Sequence, residues 1–262
     1  FIWWFNNYTL KINEKHISSD KVNNDVKLAV LSDLHAYDGI FSIDNKTIVK
    51  KIKRIDPDAV CVLGDMHSSN ADETEKQISM DLMTGIIDEG YKLYFVLGEH
   101  DDRTNAYVDK MEKNKIHVLD GEAEKITIGD TDLTFCGISN AFFSPSFDLT
   151  NEFDIDKSTY NILLAHIPMY SDYEKFGADL TLCGDTHGGI IQIPFLGPAY
   201  YNGKFVPELY EDKNKIFDKG LFKYDGGYLF ITSGIGNYIG DYNIAARFNN
   251  RPEIAVLTIS PE

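Results

Sequence analysis

Positive charge is short in this sequence: 25 Lys and Arg stand against 41 Asp and Glu over 262 residues, a formal net charge of -16. Such a surface repels nucleic acid and anionic lipid, which are normally met by clustered cations. A nuclease or duplex-binding protein is therefore disfavoured, and nucleic acid is not an expected partner. Cysteine is scarcer still, with three residues. Cys61, Cys136 and Cys183 each sit in an apolar run, and their spacing fits neither a zinc knuckle nor a disulfide framework, so they read as reduced core residues. No apolar stretch is long enough to span a bilayer. There is no internal repeat, low-complexity tract or long Gly/Ser- or Pro-rich linker to mark a domain boundary. What remains is an ordinary globular balance, 43% apolar, 25% charged and 13% aromatic, which excludes disorder and favours one domain.

The chain opens Phe1-Ile2-Trp3-Trp4-Phe5 before turning polar at Asn6. Opening on Phe rather than Met, it reads as a processed product that has lost an upstream segment. Aromatic residues at an apolar-to-polar border fit two readings equally: the interfacial end of a membrane anchor, or a hydrophobic first strand docked on the domain. Residues 1–25 are accordingly set apart from a domain over 26–262.

Apolar runs at Lys27–Leu31, Ala59–Leu63 and Leu93–Leu97 are separated by segments of helical period, giving β-α-β-α-β. Between Lys46 and Ile55, Ile48, Val49, Ile52 and Ile55 share one helical face, and Pro57 ends that helix near Asp56. A second helix is expected from about Glu73 to Glu89, stopped by Gly90. Further strands are expected at Leu133–Ile138, Ile162–Ala165, Leu180–Cys183, Tyr228–Thr232 and Ile254–Ile259, and Pro194–Gly227 reads as an extended loop or hairpin.

Chemistry follows the apolar runs. Leu31 leads to Asp33 and His35, Leu63 to Gly64-Asp65, Leu97 to Gly98-Glu99-His100-Asp101, Ala165 to His166, and Cys183 to Gly184-Asp185-Thr186-His187. In open α/β sheets the carboxyl ends of strands converge on one edge, so these groups can meet although far apart in sequence. A carboxylate between two cations can bridge them, and imidazoles add neutral ligands. Glycine before Asp65, Glu99 and Asp185 is expected to let the chain turn as each strand ends.

The ordered set Asp33-x-His35, Gly64-Asp65, Gly98-x-His100-Asp101, His166 and Gly184-x-Thr186-His187-Gly188-Gly189 resembles the calcineurin-like metallophosphoesterases. The resemblance implies a metallophosphatase-like α/β fold, a four-layer sandwich of two mixed β-sheets flanked by helices. It implies two divalent metal ions, with Asp33, His35 and His187 on the first, Asp65 bridging and His166 on the second. A hydroxide between them would attack the phosphorus of a phosphate-ester substrate. His100 would act as general acid or stabilise phosphoryl charge, with Asp101 orienting its ring. Asn250-Arg251-Pro252-Glu253-Ile254 resembles a bacterial branch often carrying an anchor or export signal, which implies membrane association on the extracytoplasmic face.

Two positions depart from the pattern: Glu99 stands where Asn is usual, and Asp185 where the first His of Gly-His-x-His is usual. Both fall on the second metal and replace neutral ligands by oxygen anions, which favours manganese, with iron or zinc as alternatives. The added negative charge weakens activity, so a metal-binding sensor of the same fold is the alternative to the enzyme. His67 is a candidate for substrate or metal contact equal to a surface role, His16 and His117 read as surface residues, and Arg247 and Arg251 read as structural ion pairs.

Overall fold

The computed structural model describes residues 1–38, 43–139, 149, 153, 155–208, 216–239 and 242–262, and all that follows concerns these. In chain order the strands of the frame are β1 (Lys11–Ser19), β2 (Val26–Leu31), β3 (Ala59–Val62), β4 (Leu93–Phe95), β5 (His117–Val118), β6 (Glu122–Ile128), β7 (Thr131–Ile138), β8 (Tyr160–Ala165), β9 (Leu180–Cys183), β10 (Gly220–Tyr224), β11 (Gly227–Ile231) and β12 (Glu253–Pro261). The helices are α1 (Ile2–Tyr8), α2 (Asn45–Ile55), α3 (Glu73–Asp88), α4 (Asn105–Lys113) and α5 (Tyr170–Phe176).

Two six-stranded mixed sheets result, in the orders β1-β12-β2-β3-β4-β5 and β10-β11-β9-β8-β7-β6. Strands β2 to β5 run parallel, as do β7, β8, β9 and β11, while β2 is antiparallel to β12 and β6 to β7. Because side chains alternate across a strand, each central strand is apolar on both faces. Leu28 and Val30 of β2 point between the sheets, meeting Phe135, Ile162, Leu164 and Leu182 of the second sheet. Ala29 and Leu31 point outward, under Ile48 and Ile52 of α2 and Leu82, Met83 and Ile86 of α3. On the far side Leu163, Ala165 and Leu229 are covered by Tyr173 and Phe176 of α5. The layers are thus helix, sheet, sheet, helix, as expected.

Local signals agree with the helices. Asp72 caps α3, accepting from the Thr74 and Glu75 N–H groups while Glu75 accepts from the Asp72 N–H, a reciprocal capping box. Asp56 closes α2 in the left-handed region at φ 50°, and Gly90, at φ 98°, follows the end of α3.

The amino-terminal reading needs two corrections. Residues 11–19 pair in parallel with β12 as an edge strand of the first sheet, so position 25 is no domain boundary. Phe1–Phe5 form no docked strand; Ile2–Tyr8 is helical, with Trp3, Trp4 and Phe5 exposed. Of the stretch 194–227, residues 209–215 lie outside the described set, and the rest carries two small hairpins and the β10–β11 pair.

Leu164 lies wholly buried between the two sheets, and truncation there leaves a cavity that neither sheet can collapse to fill. Leu164→Ala is expected to cost ~2–5 kcal/mol in urea unfolding with an unchanged m-value. A loss below about 1 kcal/mol would contradict face-to-face packing at this position.

Candidate metal centre

The parallel strands deliver their carboxyl ends to one edge of the sandwich. β2 is followed by Asp33 and His35, β3 by Asp65, β4 by Glu99 and His100, β8 by His166, and β9 by Asp185 and His187. The loops are tied to one another by backbone bonds: Asp33, His35 and Ala36 N–H donate to the carbonyls of Gly64, Asp65 and Met66 at 3.0 Å each, and Gly236 N–H donates to Asp33 O at 2.7 Å. Side chains from both sheets therefore face one another across a fixed gap.

Asp65 is the middle of the group. Its Oδ2 lies 3.1 Å from His166 Nε2, 3.8 Å from His35 Nε2 and 3.9 Å from His100 Nε2. Asp33 Oδ1 is 3.8 Å from His187 Nε2 and 4.0 Å from His166 Nε2, and Asp185 Oδ1 is 4.0 Å from His166 Nε2. Three sets have ligand atoms within 4.8 Å of one another: Asp33 with His35 and His187, Asp33 with Asp65 and His166, and Asp65 with Glu99 and His100. The first three residues, grouped in the sequence reading, do come together. Glu99 is the most exposed and meets His100 Nε2 at 3.4 Å.

The backbone of this group is unusual. Asp33, His35, Asp65, Asp185 and His187 all have positive φ, between 42° and 67°, a region costly for residues bearing a Cβ and one that clusters at functional sites. The glycines serve two purposes. Gly64 takes the left-handed turn expected of it, at φ 88°. Gly98 and Gly184 are needed for space instead: a Cβ on Gly98 would strike the Asp65 carboxylate, and one on Gly184 would strike Ser32.

The donor set fits divalent cations. Asp33 Oδ2, His166 Nε2 and His187 Nδ1 are buried with no hydrogen-bond partner, an arrangement expensive to maintain unless another group satisfies it. His166 Nε2 and Asp65 Oδ2, though 3.1 Å apart, are not in hydrogen-bond geometry. The opposite ring nitrogens are engaged where ligand imidazoles need support: His166 Nδ1 donates to Leu63 O at 2.6 Å, and His35 Nδ1 contacts Ser68 Oγ at 3.1 Å. Burial lifts the Asp33 carboxyl to about 7 against the pull of His166, and burial likewise lifts Asp185 to about 6. Burial opposes charge on His166, but contact with Asp65 and the charges of Asp33 and Asp185 raise it to about 10. Burial opposes charge on Asp65 too, yet His166 and His35 hold it below the usual carboxylate range. Burial, more than mutual repulsion, thus leaves the Asp33 and Asp185 carboxyls easier to protonate than free ones.

Four sequence assignments change. Asp101 does not orient His100; its carboxylate accepts from the N–H groups of Asp65, Met66 and Gly98 at 2.8, 2.9 and 2.8 Å, pinning two ligand loops together. Ser69, which no sequence signal marked, contacts His100 Nδ1 at 2.7 Å. His67 is buried rather than exposed, taking the Asp102 N–H on Nε2 and packing edge-on to Tyr107. Arg247 and Arg251 form no ion pairs: Arg247 is buried and donates to the carbonyls of Ser233, Gly236 and His187, while Arg251 donates to Thr9 O and lies over the Phe5 ring. His117 is paired with Glu124 at 2.8 Å.

This arrangement, loops of two facing sheets converging on a buried carboxylate and imidazole cluster, is a candidate metal centre. The chain belongs to the calcineurin-like phosphoesterase family, whose pattern matches residues 26–189. It is 24% identical over 220 residues to an uncharacterized metallophosphoesterase of Campylobacter jejuni, covering 80% of this chain but only 57% of that protein. Over 99 residues, 37% of this chain and 32% of the relative, it is 32% identical to the phosphodiesterase YaeI of Escherichia coli. Among solved structures, GAP50 of Plasmodium, described as the anchor in the inner membrane complex, superposes with a TM-score of 0.50 at 15% identity, covering 91% of this chain and 82% of that one. That likeness concerns the fold alone.

Two outcomes are expected of the site. Asp101→Ala leaves three N–H groups without their acceptor, so stability falls by roughly 3 kcal/mol or more and metal content falls with it; lost turnover with stability and metal content intact would return Asp101 to a role on His100. Because Asp33, Asp185 and His166 hold protons that a cation must displace, metal uptake releases protons and its apparent affinity rises with pH from about 6 to about 10. Calorimetry in buffers of different ionisation enthalpy measures that release, and heats independent of buffer would contradict it.

Proposed function

We propose that this protein hydrolyses phosphate esters with two divalent ions, manganese preferred, arranged about Asp65. The observation that carries the reading is the position of Asp65 Oδ2, within 4 Å of three imidazole Nε2 atoms, amid buried atoms of Asp33, His166 and His187 that have no hydrogen-bond partner. Asp33, His35 and His187 would hold one ion, and His166, Asp185 and Glu99 the other, with Asp65 shared. When bound, the ions activate water and neutralise the phosphoryl oxygens. Carboxylates at Glu99 and Asp185 make the second position rich in oxygen donors, which is the basis for preferring manganese.

The chain's own part is positioning and proton transfer. His100 is the imidazole of the group most open to solvent, with a side chain 24% exposed against 1% to 13% for His35, His166 and His187. Its Nδ1 is anchored by Ser69 Oγ and its Nε2 faces Asp65 and Glu99. It is thus placed to hand a proton at Nε2 to a leaving oxygen arriving from the mouth. The naming of the Escherichia coli relative as a phosphodiesterase makes diesters the first class to try. One contact favours the weaker alternative of a metal-binding protein with little turnover: Glu99 Oε1, 3.4 Å from His100 Nε2, competes for that proton.

Turnover of an aryl phosphate diester and monoester with added manganese tests the proposal. His100→Ala is expected to lower kcat by about 10²–10⁴ with metal content unchanged, whereas Asp65→Asn loses metal and activity together. Fully metal-loaded wild type and Glu99→Asn proteins that both fail to turn over either ester would sink the enzyme reading and leave the binding protein.

A further inference from the structure

Every large apolar residue that is exposed among the described residues, ten in all, falls within residues 1–13, 186–207 and 246–252. The same three segments contain none of the chain's 41 Asp and Glu residues, although the whole chain carries a net charge of -16. Either fact alone would be unremarkable, since single exposed apolar residues are common. Their coincidence marks one chemically distinct face.

The segments are joined in space. Asn7, at the end of α1, accepts the Arg247 N–H on its side chain at 2.8 Å and donates to Arg247 O at 3.0 Å. Arg251 lies over the Phe5 ring, 4.3 Å from its centroid. Phe248 then bridges to Ile191, with Gln192 N–H donating to Phe248 O at 2.9 Å. From there the hairpin of Gln192–Ile193 with Gly197–Pro198 carries Phe195 out to 98% exposure, and the adjoining pair Tyr200–Tyr201 with Lys204–Phe205 stacks Tyr200 against Phe205. The face is continuous from α1 to the hairpins.

We propose that this face lies against the surface of a phospholipid bilayer. Its exposed side chains are mainly Trp, Phe and Tyr, whose rings are suited to the headgroup boundary. They stand on protruding hairpins and a short helix, a shape that inserts among headgroups. Anionic leaflets attract cations and repel acids over about a Debye length. An acid-free face on an otherwise acidic protein is therefore turned toward the membrane by the same field that pushes the remainder away. Lys204 and Arg251 add positive charge there, whereas Lys11 is already paired with buried Glu253 at 2.8 Å. No helix among the described residues is long and apolar enough to cross a membrane, so the contact is interfacial. It makes no use of the metal ligands' chemistry.

The two tryptophans of the chain, Trp3 and Trp4, both lie on the face, so intrinsic fluorescence reads the contact directly. Vesicles of phosphatidylethanolamine and phosphatidylglycerol are expected to shift the emission to shorter wavelength and to carry the protein down on sedimentation, with or without EDTA. The combined variant Phe195→Ser, Phe205→Ser and Phe248→Ser changes only exposed positions and should leave the circular dichroism unaltered. It is expected to lower vesicle partitioning about tenfold or more, while the same number of substitutions at exposed lysines on α2 should not. Emission and sedimentation indifferent to vesicles would overturn the proposal. So would emission and molecular mass that change with protein concentration alone, which would assign the face to a second copy of the chain.

Discussion

A carboxylate withdrawn from water must be met by positive charge, and Asp65 sets that requirement for the whole site. Its side chain is 3% exposed, yet it stays ionised because imidazoles surround it. Around it Asp33 is buried and Asp185 half-buried, each with its carboxyl raised by burial. So many acids in one place are self-repelling unless cations enter, and the atoms of Asp33, His166 and His187 that have no hydrogen-bond partner are where such cations would find ligands.

Keeping the group assembled costs backbone strain, of order 1–3 kcal/mol for each residue held in the left-handed region. The surroundings that hold it are identifiable. Asp101 binds three N–H groups from the loops after β3 and β4. Arg247 binds the carbonyls of Ser233, Gly236 and His187, and Asn250 donates to His187 O at 2.7 Å. Asn7 of α1 in turn grips Arg247. The helix bearing the exposed aromatics is therefore two hydrogen-bonded steps from the His187 loop, and that apolar face and the candidate metal centre share one scaffold.

Much of this was legible because buried parallel strands leave an unambiguous mark. The runs ending at Leu31, Leu63, Ala165 and Cys183 are apolar on both faces, and the polar residues after each stand out against them. The α/β alternation and the convergence of Asp33, His35, Asp65, His166 and His187 on one edge follow from that contrast, whereas the four-layer sandwich was implied by the family resemblance. Less was legible where a residue's partner is distant and its own neighbourhood ordinary. Strand β1 was missed because Lys11, Glu14, Lys15 and His16 hide its alternation, as suits an edge strand with little apolar cover. Asp101 looked like a partner for the adjacent His100, but its acceptors' partners come from two loops. Arg247 reads in the sequence as a structural ion pair, and only the assembled fold shows it buried against carbonyls. Nothing near Ser69 in sequence points to His100.

The central claim is that Asp65 joins two ions, and electron paramagnetic resonance of the manganese-loaded protein tests it most directly. The account predicts the spectrum of a spin-coupled pair at saturation, replaced by isolated manganese signals in Asp65→Asn. A saturated wild-type spectrum containing only isolated manganese, with no coupled pair, would contradict it.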